Sequence, residues 1–143
     1  MTTPATLRKQ ELLQLLSAIM QRRLVSDYEG LRQYLAEDVV AELPLSRRLF
    51  MWAGKHQGLA AVIEALRLID AEIHIVEHVV RDVIHEGDKL VIRSFRKIAN
   101  RGSSGVVDIE VSDYFEWRGA ELISFIEHFD TEAVVRLVRG DSP

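Results

Sequence analysis

Cysteine is absent from the chain. That excludes disulfides, thiolate nucleophiles and cysteine-ligated zinc or iron–sulfur centres. Only three prolines occur, so long stretches are free to form regular hydrogen-bonded structure. Apolar runs are all broken by charge before they reach the roughly 18 residues a membrane-spanning helix needs. There is also no excess of basic charge. The formal net charge is −4, and arginines and lysines stand singly or in pairs (Arg22-Arg23, Arg47-Arg48, Arg96-Lys97) rather than forming a phosphate-binding stripe. Nucleic-acid and membrane partners are therefore not expected. The N-terminal stretch "MTTPATLRKQELLQLL" becomes amphipathic and charged at once, unlike a secretory leader, which points to a cytoplasmic protein.

What is present is enough apolar material for a core. Hydrophobic residues make up 48% of the 143 positions, a length that suits one domain over residues 1–143, with the tail 139–143 expected to fray. Residues 5 to 25 place Leu12, Leu13, Leu16, Ile19, Met20 and Leu24 at spacings of three and four, which predicts an amphipathic helix. "YEGLRQYLA" behind Asp27 predicts a second, short one, with Asp27 as its N-cap. "DVVAELPL" reads as a short strand, and "LSRRLFMWAGKHQG" as a loop. Gly58 then precedes a third helix carrying Leu59, Val62, Ile63, Leu66 and Ile69 on one face.

From residue 73 the period changes to two. "IHIVEHVVRDVIHEGDK", "KLVIRSFRKIA", "VVDIEVSDYFEW" and "LISFIEHF" predict four strands in a meander, followed by a closing helix capped by Asp130. Helices followed by antiparallel strands argue an α+β fold. In it, three N-terminal helices pack on a strongly curved antiparallel sheet and leave a cone-shaped pocket.

Alternation along "VSDYFEWRGAELISFIEHFD" sets Val111, Asp113, Phe115 and Trp117 on one face. On the next strand it sets Ile123, Phe125, Glu127 and Phe129 against Leu122, Ser124, Ile126 and His128; both sets are mixed, and the first is taken as inner partly from the family pattern described below. With a turn at Arg118-Gly119-Ala120, Asp113 falls opposite Phe125 and Val111 opposite Glu127. The two carboxylates become diagonal neighbours about 7 Å apart. Ile92, Ser94, Arg96 and Ile98 share the same inner face on their own strand. Two carboxylates in an apolar cleft drive their pKa values apart and can divide acid and base roles. Equally, Arg96 can neutralise them as a structural ion pair.

His74 and His78 lie on one strand face about 13 Å apart by strand rise, too far for a shared metal. His128 points outward. His56 sits in the loop carrying Phe50, Met51 and Trp52, which could close over the pocket mouth. No metal and no cofactor is implied, since no glycine-rich phosphate loop or dinucleotide fingerprint occurs. Val91, Arg93, Phe95, Ile126 and His128 fall on the outer sheet face, an apolar surface that predicts a homodimer.

The segments "YLAEDVVAELP", Gly58 before a helix, "IHEGDKLVIR" and "VSDYFEWRGAELISFIEHFD" together resemble the nuclear transport factor two-like superfamily. The likeness is to its SnoaL-like polyketide cyclase and ketosteroid isomerase-like branch, and covers about residues 10 to 138. It implies the cone fold and, commonly, a dimer through the outer face. It places Asp113 where ketosteroid isomerases carry their oxyanion-hole Asp. Their general base falls at Leu43 and their helix-one Tyr near Ile19, so both of those groups are missing. The Arg-x-Asp order of limonene epoxide hydrolases, which falls near Ser94 and Arg96, is not kept, while their last-strand Asp falls on Glu127. The acidic residue of polyketide cyclases matches either Glu127 or Asp130.

Two function classes follow. One is a cofactor-independent isomerase, cyclase or epoxide hydrolase acting on a small hydrophobic molecule. Asp113, Glu127 and Arg96 would be its catalytic set, and Phe50, Trp52, His56, Ile92, Phe115, Phe125 and Phe129 would line its pocket. The other is a non-catalytic ligand-binding or dimeric assembly module.

Overall fold

The computed structural model describes residues 2–140. Helix α1 (Pro4–Leu24) starts at Thr3, whose side chain accepts from the Thr6 amide, with Pro4 in the first turn where its missing N–H costs nothing. Its buried stripe is Leu12, Leu16 and Ile19. Helix α2 (Tyr28–Arg32) is capped by Asp27, as expected. It is shorter than the "YEGLRQYLA" pattern suggests, because Leu35 and Ala36 are buried in strand β1 (Leu35–Leu43) instead. There Leu35 pairs with Leu122, and the Leu122 amide donates to the Tyr34 carbonyl. Partners distant in sequence thus override local helical preference.

The 45–58 segment is not wholly a loop. It contains β2 (Gly54–Gln57), antiparallel to β1, with Ala41 opposite His56. Helix α3 (Leu59–Glu72) follows Gly58, whose φ of 93° favours glycine. Then come β3 (Ile73–Glu86), β4 (Lys89–Asn100), β5 (Val106–Arg118), β6 (Glu121–Phe129) and α4 (Thr131–Arg139). The sheet has six strands in the order β2-β1-β6-β5-β4-β3. It is antiparallel except at β1–β6, which pair in parallel. Gly140 closes α4 in the left-handed conformation, so Arg139 belongs to the helix; residues 141–143 of the expected frayed tail lie outside the described residues.

Helices α1 and α3 cover the inner face of the curved sheet. The core between them includes Leu12, Leu16, Val62 and Leu66 from the helices and Ile92, Ile98, Val111 and Trp117 from the strands.

Two of the sheet's irregularities decide which side chains enter that core near the charged residues. On the β5–β6 hairpin the turn residues are Gly119 and Ala120, with Arg118 opposite Glu121 and Trp117 opposite Leu122. Glu116 then pairs with Ser124, leaving Ile123 as the extra residue of a β-bulge. Beyond the bulge Phe115 lies opposite Phe125, Asp113 opposite Glu127, and Val111 opposite Phe129. The diagonal arrangement expected from the sequence is therefore corrected to a direct cross-strand pair. Leu122, not Ile123, is the buried residue at the hairpin end. The second irregularity lies on β3. Ile75 pairs with Ile98 but Glu77 pairs with Lys97, so Val76 is extra. His74 then sits opposite Ala99 and His78 opposite Arg96. The two histidines do not share a face, contrary to simple alternation. His78 joins the inner face with Arg96.

The Ile123 bulge sets the phase of everything C-terminal to it, because side-chain direction has period two. Deleting Ile123 should turn Phe125 and Glu127 outward and abolish a cooperative unfolding transition followed by circular dichroism. Ile123→Ala, which keeps the residue count, should cost less than about 2 kcal/mol. A deletion variant with the melting curve of the natural protein would show that the bulge does not set this phase.

Candidate functional site

The inner face of β4, β5 and β6 carries three charged side chains inside the apolar core. Arg96 is 5% exposed and Asp113 is 2% exposed. Arg96 reaches along the sheet to both carboxylates: Nη1 donates to Glu127 Oε1 at 2.9 Å and Nη2 to Asp113 Oδ2 at 3.2 Å. Glu127 differs from Asp113 in access, its side chain retaining 20% exposure. Because the two carboxyls are direct cross-strand partners, their Cβ atoms are only about 4.5–5.5 Å apart.

That closeness, together with burial, sets the proton affinity of Asp113. Burial pushes the Asp113 carboxyl well above the usual carboxylate range, and the charge of Glu127 pushes it further; Arg96 opposes both. Asp113 Oδ1 makes no hydrogen bond among the described residues and is the oxygen available to hold that proton. Burial would weaken the Arg96 proton affinity, but attraction to Glu127 and Asp113 outweighs it, so the guanidinium stays charged. His78 completes the row. Burial, then repulsion from Arg96, lowers its pKa to about 4, against an opposing pull from Glu127. It is neutral at pH 7.

Two adjoining clefts open onto this row. The first is lined by Leu43, Trp52, Ile69, Ile73 and Phe129 among others, the second by Ile19, Met20, Leu66, Phe115 and Phe125. Arg23, Arg96 and Glu127 line both. Their cavity volumes are only about 20 and 40 Å³. They are narrow slots, and a ligand the size of a steroid would have to displace side chains.

Of the seven residues expected to line a pocket, Trp52 and Phe129 face the first cleft, and Phe115 and Phe125 the second. Phe50, Ile92 and His56 line neither. Phe50 stacks on Trp52 with ring centroids 4.4 Å apart and serves to hold that ring. Ile92 is buried opposite Asp113 in the sheet. The His56 ring is tied to the Trp52 carbonyl through Nε2 at 2.7 Å, which bends the preceding loop rather than presenting the imidazole to the cleft. Asp113 lines neither cleft and stands behind Glu127 and Arg96. Asp130 accepts from the Ala133 amide as the cap of α4, so of the two acidic residues near the end of the sheet it is Glu127 that reaches the clefts. Leu43 and Ile19 both line clefts, at the positions where the resemblance puts a missing base and a missing tyrosine.

A second polar group on the helical wall was not singled out from the sequence. Arg23 of α1 donates through Nη1 to Asp70 Oδ1 of α3 at 2.8 Å. Asp70 Oδ2 also accepts from the Tyr28 hydroxyl and, at 3.3 Å, from Ser26. The signal was available in spacing: Arg23 lies four residues after Ile19, and Asp70 four after Leu66. Both charges therefore fall on the buried stripes of their helices.

The titration directions work against each other with pH. Asp113, its pKa raised in the folded state, favours folding fully below its unfolded value of about 4 and loses that contribution as pH rises through the folded value. His78, its pKa lowered, favours folding above its unfolded value of about 6.5 and loses that as pH falls toward about 4. Relative to the natural protein, Asp113→Asn should therefore gain in melting temperature as pH rises above about 4. His78→Gln should gain as pH falls below about 6.5. Melting temperatures offset by a constant at every pH would contradict both assignments.

The profile of the SnoaL-like domain family matches residues 16–126. No curated protein matches the chain significantly. Solved structures share its fold. An NTF2-like protein from Burkholderia xenovorans is 21% identical, with 90% of this chain and 96% of that one covered at a TM-score of 0.74. An isomerase candidate from Rhodopseudomonas palustris is 18% identical, with 92% and 97% covered at 0.81. A candidate SnoaL-like polyketide cyclase from Shewanella denitrificans is 14% identical, with 90% and 97% covered at 0.71. At such identities the structures speak to fold alone, but the profile spans most of the sequence, and the chain belongs to the SnoaL-like domain family.

Proposed function

We propose that this chain binds a small hydrophobic carbonyl compound between its helices and sheet and moves a proton on it without a cofactor. The observation that carries this reading is the asymmetry of the carboxyl pair. Asp113 is buried, and that burial and the charge of Glu127 raise its proton affinity, while Glu127, its cross-strand partner, opens to both clefts. Glu127 is the base. It takes a proton from carbon beside the carbonyl, the electron pair moves onto the carbonyl oxygen, and Glu127 returns the proton to another carbon, giving an isomer. Arg96 orients Glu127. Asp113 is a positioning residue: kept neutral, it leaves the Arg96 charge to Glu127 and keeps the pair from carrying two negative charges. The isomerase and cyclase candidates among the similar structures support this as fold analogy only.

A second reading, a non-catalytic binding module, is favoured by the hydrogen bonds that join Arg96 to both carboxylates and by the narrowness of the clefts. In either reading we infer a homodimer. Val79, Ile84 and Tyr114 are exposed on the outer sheet face, where a second copy would cover them.

The reading is tested with a β,γ-unsaturated cyclohexenone, following its conversion to the conjugated ketone by absorbance. Glu127→Gln should lower the rate about 100-fold or more, the usual worth of a positioned base. Asp113→Asn should lower it about tenfold or less while shifting the acid limb of the pH profile. Turnover by the natural protein that both variants leave unchanged would exclude the base assignment, and binding without turnover would select the non-catalytic module. For the dimer, Ile84→Asp should halve the sedimenting mass; a natural protein that already sediments as a monomer would remove that proposal.

A further inference from the structure

The proposed reaction leaves one requirement unmet. Negative charge that develops on a substrate oxygen needs a donor facing it, and Ile19 stands where the resemblance would put a phenolic one. Arg23 lies one helical turn beyond Ile19 on the same face of α1. Its side chain is 10% exposed and lines both clefts, as do Arg96 and Glu127. Nη1 is committed to Asp70, the one hydrogen bond that the Arg23 side chain makes among the described residues. A guanidinium carries five N–H donors, so several are left for a ligand.

From this geometry we propose that Arg23 is the oxyanion-binding residue, and that the substrate presents its carbonyl oxygen to the helical wall while its reacting carbon faces Glu127 on the sheet. The inference rests on the acid–base reading given above. Charge accounting narrows the substrate class. Asp113 and His78 line neither cleft, and the charged side chains that do are two cations, Arg23 and Arg96, and two anions, Asp70 and Glu127. A neutral ketone keeps this balance when it binds. When Glu127 takes the proton, one negative charge moves from Glu127 to an oxygen beside Arg23, and the total is unchanged. A substrate with its own carboxylate would enter with an uncompensated charge in a largely buried slot, which is costly. The preferred ligands are therefore neutral ketones or aldehydes with an acidic C–H. Asp70 tempers Arg23: it holds the guanidinium in place and weakens its pull on an anion.

The probe is 4-nitrophenol, whose neutral and ionised forms differ in absorbance, bound to the Glu127→Gln protein as a mimic of the state after proton transfer. The quantity read is the affinity for phenolate relative to phenol. Arg23→Gln should reduce it about tenfold or more, the scale of one charge-assisted hydrogen bond. Asp70→Asn should raise it about threefold or more by freeing the Arg23 charge, and Arg23→Lys should retain part of it. Opposite signs at Arg23 and Asp70 cannot come from damage to the fold, which would weaken binding in both. Phenolate preference unchanged in Arg23→Gln would overturn the oxyanion role and leave the Glu127 reading standing. No binding of either form, in the natural protein or in Glu127→Gln, would overturn the ligand-binding reading and this inference with it.

Discussion

The Arg96 guanidinium is the interaction on which the site depends. One side chain, 5% exposed, bridges carboxylates from two other strands and so ties β4, β5 and β6 together at the centre of the inner sheet face. Burying three ionisable groups in an apolar core is unfavourable unless the charges are matched, and removal of one partner from such a set typically costs about 3–5 kcal/mol. Matching here is incomplete, since one cation faces two carboxyls. The less accessible one, Asp113, is the one that burial drives to the neutral form.

That single asymmetry links stability to the proposed function. A fully buried neutral acid behind an accessible carboxylate costs less than two buried anions, and in the proposed reaction the accessible carboxylate is the one that exchanges protons with a ligand. The opposing helical wall repeats the theme on a smaller scale. Arg23 and Asp70 balance each other, and the cleft between wall and sheet is electrically even. An even site suits reactions in which charge moves over a short distance without any net change.

The surroundings explain why the cleft persists at all. Leu43, Trp52 and Phe129 on one side and Phe115, Phe125 and Leu66 on the other keep water to a few small spaces. The Trp52 ring is held by Phe50 above and by the turn that His56 closes onto the Trp52 carbonyl. Phe50 and His56, which composition placed at the pocket, are thus supports for Trp52, which lines it.

The sequence by itself determined the element types apart from β2, the α+β class, and the inner faces of β4 and β5 with Arg96 and Asp113. These follow from local periodicity, which hydrophobic alternation reports directly, whereas the inward side of Glu127 on the mixed last strand leaned on the family resemblance. Only the tertiary structure decided the rest. A bulge adds one residue and reverses facing without leaving a mark in the alternation, so the Asp113–Glu127 register and the inward turn of His78 were not legible. The early start of β1 depended on pairing with β6, some ninety residues away. Arg23 and Asp70 lie on separate helices and acquire meaning only when those helices meet over the sheet. Spacing within a segment is a local property; which charges come to face one another depends on chain packing.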